Sequence, residues 1–270
     1  MTAATYPPAH HVLRDLGVSG LRHTDHAEFG VPARPGLADA SGGIRLGVIA
    51  ALIDIAGAGL ALGVVRPDWI ATADLTCHLT EPINGDVAVT CRPLRTGSST
   101  VVVDATVTDG RSAPCGRARM AFSRIPGSAT RADTTHVGDP TMPVPFSIQG
   151  GTPIDDPVLD RCGVAETEPG RLVLDKTPYV ENSFGTVNGG VVALVAEAAA
   201  VSAARGGRAV DLQVHYLEQV GDGPVLAEAT ALRPGDPALF EVQLLSLIHI
   251  SEPTRLESKS RVASCGCRRG

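Results

Sequence analysis

An acidic residue stands two helical turns beyond a glycine-rich loop in this chain, a spacing that could support chemistry on a bound ligand. The loop runs from Asn182 to a pair of glycines, Gly189 and Gly190, and leads into an apolar helix that carries Glu197. Paired glycines let a ligand come close to the backbone, and the first turn of a helix has free N–H groups and partial positive charge. Such a turn can hold a polarised carbonyl oxygen. Glu197 is then either a functional carboxylate or a single polar residue on an exposed helix face.

The same spacing occurs a second time. Gly47 is followed by six apolar residues and Asp54, just as Gly190 is followed by six apolar residues and Glu197. Three further matches keep the same order, between residues 12–17 and 158–163, 74–79 and 211–216, and 94–97 and 232–235. Four matches in one order indicate a duplicated domain of roughly 100 to 130 residues.

Each copy is predicted to contain one long helix and several strands. The first copy has a strand at 18–32, an apolar helix from Gly47 to about Val64, and strands at 70–79, 86–94, 99–108 and 114–123. The second copy repeats this order, with a strand at 165–176, a helix at 190–205, and strands at 207–217, 224–232 and from 237 onward. A helix that is apolar on nearly all sides must be covered by sheet. The expected fold class is therefore α+β, with two modules that each wrap a curved antiparallel sheet around one buried helix.

The chain divides by composition into two modules, a linker and a tail. We assign residues 1–123 to the first module, 124–156 to a linker rich in Pro, Gly, Ser and Thr, and 157–244 to the second module. Residues 245–255 resemble the translation of a transposase adapter used in sequencing libraries, so we interpret residues 245–270 as a non-native tail.

A non-native tail would leave the second module truncated, with about 18 native residues replaced by comparison with the first copy. Residues 245–250 are apolar and β-prone and could extend the preceding strand as far as Pro253. Residues 257–270 have almost no apolar side chains and should be irregular and exposed. We therefore expect an open sheet edge in the second module.

Composition argues against several classes of partner. A net charge of -6 and only 3% aromatic residues disfavour nucleic acid. Residues 1–11 contain no apolar segment typical of a leader, and no run of 18 apolar residues predicts a membrane span. The residues before 245 hold four cysteines, none in a CxxC pair, which indicates free buried thiols and a cytoplasmic location. These are Cys77, Cys91, Cys115 and Cys162.

Other motifs give weaker signals. The His23-x-x-His26 spacing and the adjacent pair His10 and His11 could supply metal ligands, but no further Cys, His or acid accompanies them in a ligand pattern, so we expect no metal. His78 and His215 occupy equivalent strand positions and are interpreted as structural. No Gly-x-Ser-x-Gly elbow supplies a serine nucleophile.

The two modules resemble hotdog-fold acyl-CoA thioesterases. The resemblance rests on a Gly-Gly loop before a buried helix that carries an acid two turns in. It is nearest to the branch whose loop reads Gly-Thr-(Val/Leu)-His-Gly-Gly after an Asn, and residues 182–190 match that loop with Asn188 where His is usual. It covers residues 10–244 and implies two hotdogs in one chain, an intrachain pseudo-dimer that could assemble further into a homo-oligomer. The implied activity is hydrolysis of an acyl-CoA thioester without a cofactor.

The resemblance also implies that each active site is built across two modules. The family takes an acid and a later hydroxyl residue from one side, and a glycine N–H and an Asn from the other. Asp54 and Thr72 supply the first pair here, and Gly189 and Asn182 supply the second. Asn188 and Gly190 are expected beside the substrate.

The second set of residues departs from that pattern. Its acid is Glu197, but Ala209 stands at the hydroxyl position, Leu46 at the glycine position and Asp39 at the Asn position. We expect one working site and one decayed site.

Resemblance and residues together imply a mechanism. The Gly189 N–H would stabilise the developing oxyanion, and Asp54 would act as general base or nucleophile, with a pKa raised by its apolar helix. Thr72 and Asn182 could orient the water.

Two alternatives remain open: a non-catalytic acyl-CoA-binding hotdog, and a hotdog hydratase or dehydratase. The latter would need a histidine where Asn188 and Arg45 stand.

Overall fold

The computed structural model describes residues 6–126, 144–148, 155–235, 238–246 and 260–268. In the first half a short helix, α1 (Val12–Asp15), precedes a hairpin and a 3-10 turn, and the long helix α2 (Leu46–Val65) follows. The strands of this half, and one more from the expected linker, are β1 (Ser19–Arg22), β2 (Ala27–Val31), β3 (Trp69–Leu79), β4 (Val87–Thr96), β5 (Thr100–Asp109), β6 (Pro114–Ile125) and β7 (Val144–Ser147).

The second half repeats this element order. It opens with α3 (Val158–Cys162) and contains the long helix α4 (Gly189–Ala203). Its strands are β8 (Val164–Glu168), β9 (Arg171–Leu174), β10 (Arg208–His215), β11 (Val225–Arg233), β12 (Ala238–Ser246) and β13 (Ser260–Arg268). The single strands predicted at 18–32 and 165–176 are hairpins instead, β1–β2 and β8–β9, because each stretch contains a tight turn that the pattern alone did not mark.

All described strands belong to one antiparallel sheet. Its order is β7-β1-β2-β4-β5-β6-β3-β10-β13-β12-β11-β9-β8, so the two halves mirror each other about the central β3–β10 pair, apart from the edge strand β7. At that centre Asp74 pairs with His215 and His78 pairs with Asp211. The structure thus confirms the α+β fold class, with a large antiparallel sheet and long helices packed against it.

The two long helices pack on the sheet and against each other at their N-terminal ends. A Cβ at Gly47 would lie 2.5 Å from Leu194 Cα, and a Cβ at Gly190 would lie 2.6 Å from Ala51 Cβ. Only glycine allows so close an approach. Gly47 and Gly190, which stand at equivalent positions in the two copies, are therefore required by the crossing of α2 and α4.

By length and composition α2 is apolar enough to cross a membrane, although Asp54 interrupts its apolar run. Most of α2 is nevertheless buried inside the protein, against α4 and the strands of the first half. A core helix covered on nearly all sides has this composition for the same reason as a membrane span.

The C-terminal tail differs from its prediction. Residues 260–268 form β13, which pairs with β10 on one side and β12 on the other, as β6 pairs with β3 and β5. The expectation that 257–270 are irregular throughout and leave an open edge is wrong. β10 and β12 present facing rows of backbone N–H and C=O groups, which a segment of almost any sequence can satisfy. The origin of residues 245–255 and the module boundaries stay predictions, and residues 247–259 lie outside the described residues.

Candidate active site

Asp54 is a buried carboxyl group on α2. Only 8% of the residue is exposed, and Thr72 on β3 donates its hydroxyl hydrogen to Asp54 Oδ1 at 2.8 Å. Burial raises the pKa of Asp54 to about 6, while the Thr72 hydrogen bond acts in the opposite direction. The carboxylate is therefore held in one orientation and is basic enough to accept a proton near neutral pH.

Gly189 lies directly in front of that carboxylate, at the first position of α4. A Cβ on Gly189 would lie 3.2 Å from Asp54 Oδ2. Asn188 caps the helix by accepting a hydrogen bond from the Gly190 N–H at 2.9 Å. Among the residues that the structure describes, none accepts a hydrogen bond from the Gly189 N–H. The structure thus brings an acid from the first half and a free helix-start N–H from the second half together, as the sequence predicts.

Tyr216 completes this arrangement and was missed by the sequence analysis. Its hydroxyl donates to the Gly189 carbonyl oxygen at 3.0 Å, and its ring would contact a Cβ on Gly189 at 3.5 Å. Burial raises the pKa of Tyr216 well above its usual value, so the group is a neutral donor. The available signal was an asymmetry between the repeats, because Tyr216 stands where Leu79 stands in the first copy.

A cavity of about 320 Å³ opens beside these residues. Thr72 lines it from β3, Asn182 from the loop before α4, and Gly189 from the first position of α4. His215, the last residue of β10, and Tyr216, which follows it, also line the cavity. Asp54 does not itself line the cavity, but the two residues next to its carboxylate, Thr72 and Gly189, both do. The acid therefore lies directly behind the cavity wall, between its hydrogen-bond partner and the start of α4.

Asn182 lies at the cavity, but its amide group is occupied within its own loop. Oδ1 accepts hydrogen bonds from the N–H groups of Phe184 (2.9 Å) and Thr186 (3.1 Å), and Nδ2 donates to Thr186 Oγ1 at 2.7 Å. This Asx-type turn shapes the loop that delivers Gly189. The geometry gives Asn182 a loop-forming role and leaves its expected role in orienting water as a prediction.

Asn188 and Gly190, expected beside the substrate, do not line this cavity. The Asn188 side chain faces the backbone that it caps, and Gly190 faces Ala51 where the helices cross. Helix capping and helix packing therefore account for both residues.

The equivalent position in the other half is closed by an ion pair. Glu197 is fully buried, and the Arg45 guanidinium contacts its Oε2 through Nε at 3.0 Å and through a terminal nitrogen at 2.9 Å. Burial raises the pKa of Glu197, and Arg45 opposes that shift. Leu46, also buried, occupies the position equivalent to Gly189, and Asp39 accepts hydrogen bonds from Ser41 within its own loop. This arrangement offers a substrate neither a free carboxylate nor a glycine N–H.

Comparison with known proteins finds a family match over part of the chain. Residues 46–115, about a quarter of the chain, match the family model of the thioesterase superfamily, a range that includes Asp54 and Thr72 but not Gly189. No curated protein matches the chain.

Several solved structures are similar to part of the chain. A thioesterase from Haemophilus influenzae is 19% identical, with a TM-score of 0.41, over 44% of this chain and 84% of its own. A mutant thioesterase from Pseudomonas aeruginosa is 14% identical, with a TM-score of 0.37, over 37% of this chain and 75% of its own. A mutant thioesterase from Staphylococcus aureus is 15% identical, with a TM-score of 0.37, over 39% of this chain and 89% of its own.

Proposed function

We propose that the protein is an acyl-CoA thioesterase, in the EC 3.1.2 class, with one active site between its two halves. The observation that carries the proposal is the meeting of Asp54 and Gly189. A buried carboxylate held by Thr72 faces the open first turn of a helix, beside a cavity. The family match of residues 46–115 supports thioester hydrolysis as the class of reaction.

Asp54 can drive hydrolysis of a thioester by either of two routes. Asp54 accepts a proton from water as the water oxygen attacks the thioester carbonyl carbon, or Asp54 attacks that carbon itself and water later cleaves the anhydride. In the general-base route the C–S bond then breaks, Asp54 passes the proton it took from water to the departing CoA sulfur, and the acyl group leaves as a carboxylic acid. In the nucleophilic route the C–S bond breaks as the anhydride forms, and the water that later cleaves the anhydride supplies the acid and the proton that CoA takes up.

The Gly189 N–H supplies the place for the developing negative charge. The carbonyl oxygen becomes an oxyanion in the transition state, and one backbone donor aimed at it contributes about 3 kcal/mol. The partial positive charge of the α4 N-terminus adds to this effect. Glycine is needed because a side chain at this position would enter the space between the backbone and Asp54.

The single chain is proposed as the functional unit. The mirrored strand order supports a tandem pair of hotdog modules that replaces a dimer of separate chains. We also propose a cytoplasmic protein with an acyl-CoA as its partner, and with neither nucleic acid nor membrane. Light scattering with an activity assay on each fraction tests the assembly, since activity confined to a dimer would contradict it.

A non-catalytic acyl-CoA-binding role is the second candidate, and the Arg45–Glu197 ion pair favours it. In the second half the equivalent acid is held in an ion pair within the same kind of fold, which supports a role that needs the fold without the chemistry. A hydratase or dehydratase is disfavoured, because among the described residues no histidine is hydrogen-bonded to Asp54.

Thiol release from a panel of acyl-CoAs separates these functions. A thioesterase releases free CoA from at least one chain length, whereas a binding protein shows saturable affinity without release. A hydratase changes the acyl chain and leaves the thioester intact. Failure to release CoA from every acyl-CoA that binds would contradict the proposed function.

A further inference from the structure

The turn between β1 and β2 brings three potential metal ligands together. His23 and His26 begin and end this turn, since the His23 N–H donates to the His26 carbonyl oxygen at 2.8 Å. Glu28 lies two residues beyond His26 on β2 and therefore on the same face of the strand. Each of the three residues offers one ligand atom, and these atoms all lie within 4.8 Å of one another.

We propose that His23, His26 and Glu28 bind one divalent transition-metal ion, with Zn²⁺ as the probe. Two imidazole nitrogens and one carboxylate oxygen form a ligand set that Zn²⁺ accepts, with a fourth position left to water. His26 Nε2 and Glu28 Oε1 are 3.4 Å apart. That separation is close to the distance of about 3.3 Å between two ligands of a tetrahedral zinc with bonds of about 2.0–2.1 Å.

Asp25 prepares His26 for this role. Asp25 Oδ1 lies 2.7 Å from His26 Nδ1, and because a carboxylate only accepts, Nδ1 carries the proton. In the neutral ring the lone pair is then on Nε2, the nitrogen that faces Glu28. A carboxylate behind a metal-binding imidazole fixes the ring and raises its basicity. Arg92 on β4 contacts Asp25 Oδ2 at 3.3 Å and helps to hold it.

His23 provides an independent observation. Its Nε2 is one of two buried side-chain polar atoms in the described part of the chain that have no hydrogen-bond partner. An unpartnered buried nitrogen costs free energy. The His23 ring stacks on His26 with centroids 4.1 Å apart and the rings nearly parallel, so the proposal requires His23 to tilt out of the stack when a metal binds. An ion pair of protonated His26 with Asp25 and Glu28 would leave His23 unexplained.

The β1–β2 hairpin brings a third ligand, Glu28, to the His23-x-x-His26 pair, which the spacing of the histidines alone does not indicate. In one continuous strand His23 and His26, three residues apart, would point to opposite faces. The turn places the two histidines opposite each other and Glu28 beside them. None of the three lines the cavity next to Asp54, so the metal site is separate from the proposed active site.

Zinc titration by isothermal calorimetry on the full chain tests the proposal. We expect His23→Gln and His26→Gln each to weaken Zn²⁺ binding by at least about tenfold, and Glu28→Gln and Asp25→Asn by about tenfold. His78→Gln is the matched control, because His78 also contacts a carboxylate, Asp211, at 2.9 Å and is 62% exposed. The affinity of the His78→Gln variant for Zn²⁺ should match that of the unchanged chain.

Cysteine thiols elsewhere in the chain could bind zinc on their own, so the readout is the difference between variants that all keep them. A Co²⁺ titration identifies the ligands, since thiolates give a charge-transfer band that nitrogen and oxygen ligands lack. Unchanged affinity in both histidine variants, or an equal loss in His78→Gln, would overturn the proposal. Glu28→Gln and Asp25→Asn change exposed side chains (53% and 69%) and decide the matter if a histidine variant fails to fold.

Discussion

Asp54 and Gly189 meet across 135 residues of sequence, with Asp54 Oδ2 only 3.2 Å from where a Cβ on Gly189 would stand. The contact exists because α2 and α4 cross at Gly47 and Gly190, which brings the start of α4 against the second turn of α2. The acid and the N–H donor therefore depend on the same helix crossing. The proposed chemistry and the packing of the two halves are coupled at this point.

Gly189→Ala should lower kcat by about tenfold or more, because the added methyl group meets Asp54 Oδ2 at 3.2 Å and the Tyr216 ring at 3.5 Å. Steady-state kinetics of thiol release measure the effect. Gly59→Ala is the matched control, since a Cβ there meets no atom within 4 Å. That control should keep full activity and gain up to about 1 kcal/mol from helix propensity. A Gly189→Ala enzyme with normal kcat would show that the close approach is not needed.

Tyr216→Phe should reduce kcat severalfold and leave KM almost unchanged. The variant removes only the hydroxyl group that donates to the Gly189 carbonyl oxygen at 3.0 Å, so the first turn of α4 loses an anchor while the cavity keeps its shape. The thermal midpoint should fall only slightly, because one net hydrogen bond contributes about 1 kcal/mol. A change in KM alone would instead assign Tyr216 to substrate contact.

The rate of hydrolysis should fall as pH drops through about 6, where Asp54 takes up a proton. Thr72→Val removes the hydrogen bond that lowers this pKa, so the acidic limb of the pH–rate profile should move to higher pH. The profile of kcat/KM against pH measures both effects. A limb that stays in place in Thr72→Val would mean that another group controls it.

The raised pKa of Asp54 also means that its charged form destabilises the folded protein at neutral pH. The pKa of Asp54 in the folded state is raised from 3.8 to about 6, so the folded state binds the proton more tightly than the unfolded state does. Proton binding therefore stabilises the fold fully below about pH 4, and this stabilisation is lost as pH rises through 6. The loss is about 3 kcal/mol for a shift of this size. Asp54→Asn should therefore raise the free energy of unfolding at pH 7 and flatten its dependence on pH between 4 and 6. Denaturant titrations at pH 4 and pH 7 measure this, and an Asp54→Asn protein that is less stable at pH 7 would contradict it.

The buried helices and the duplication of the chain could be predicted from the sequence, because both appear as regular spacing and repeated segments. The glycine-to-acid spacing located both buried helices, and the duplicated segments predicted that the second half repeats the element order of the first. The joining of the two halves into one sheet at β3 and β10 was not predicted. The meeting of Asp54, Thr72 and Gly189 was predicted from the family pattern, and the structure places them together.

Other features depend on long-range contacts that spacing does not show. Tyr216 acts on Gly189 from a neighbouring strand, and Gly190 is needed for a contact with Ala51 rather than with a ligand. The pairing of β13 depends on the edges of β10 and β12 more than on its own composition. The β1–β2 turn was hidden because a hairpin and a single strand share the same alternating pattern.

Two substitutions that each replace a buried carboxyl group by an amide test the central claim most directly. Thiol release is measured for Asp54→Asn and for Glu197→Gln, per folded molecule and well below each thermal midpoint. The midpoint matters because Glu197→Gln leaves Arg45 without its ion pair and should be destabilising. We predict that Asp54→Asn loses activity by a factor of about 100 to 10,000, whereas Glu197→Gln retains most of it. Equal losses in the two variants, or full activity in Asp54→Asn, would contradict a single working site at Asp54 and Gly189.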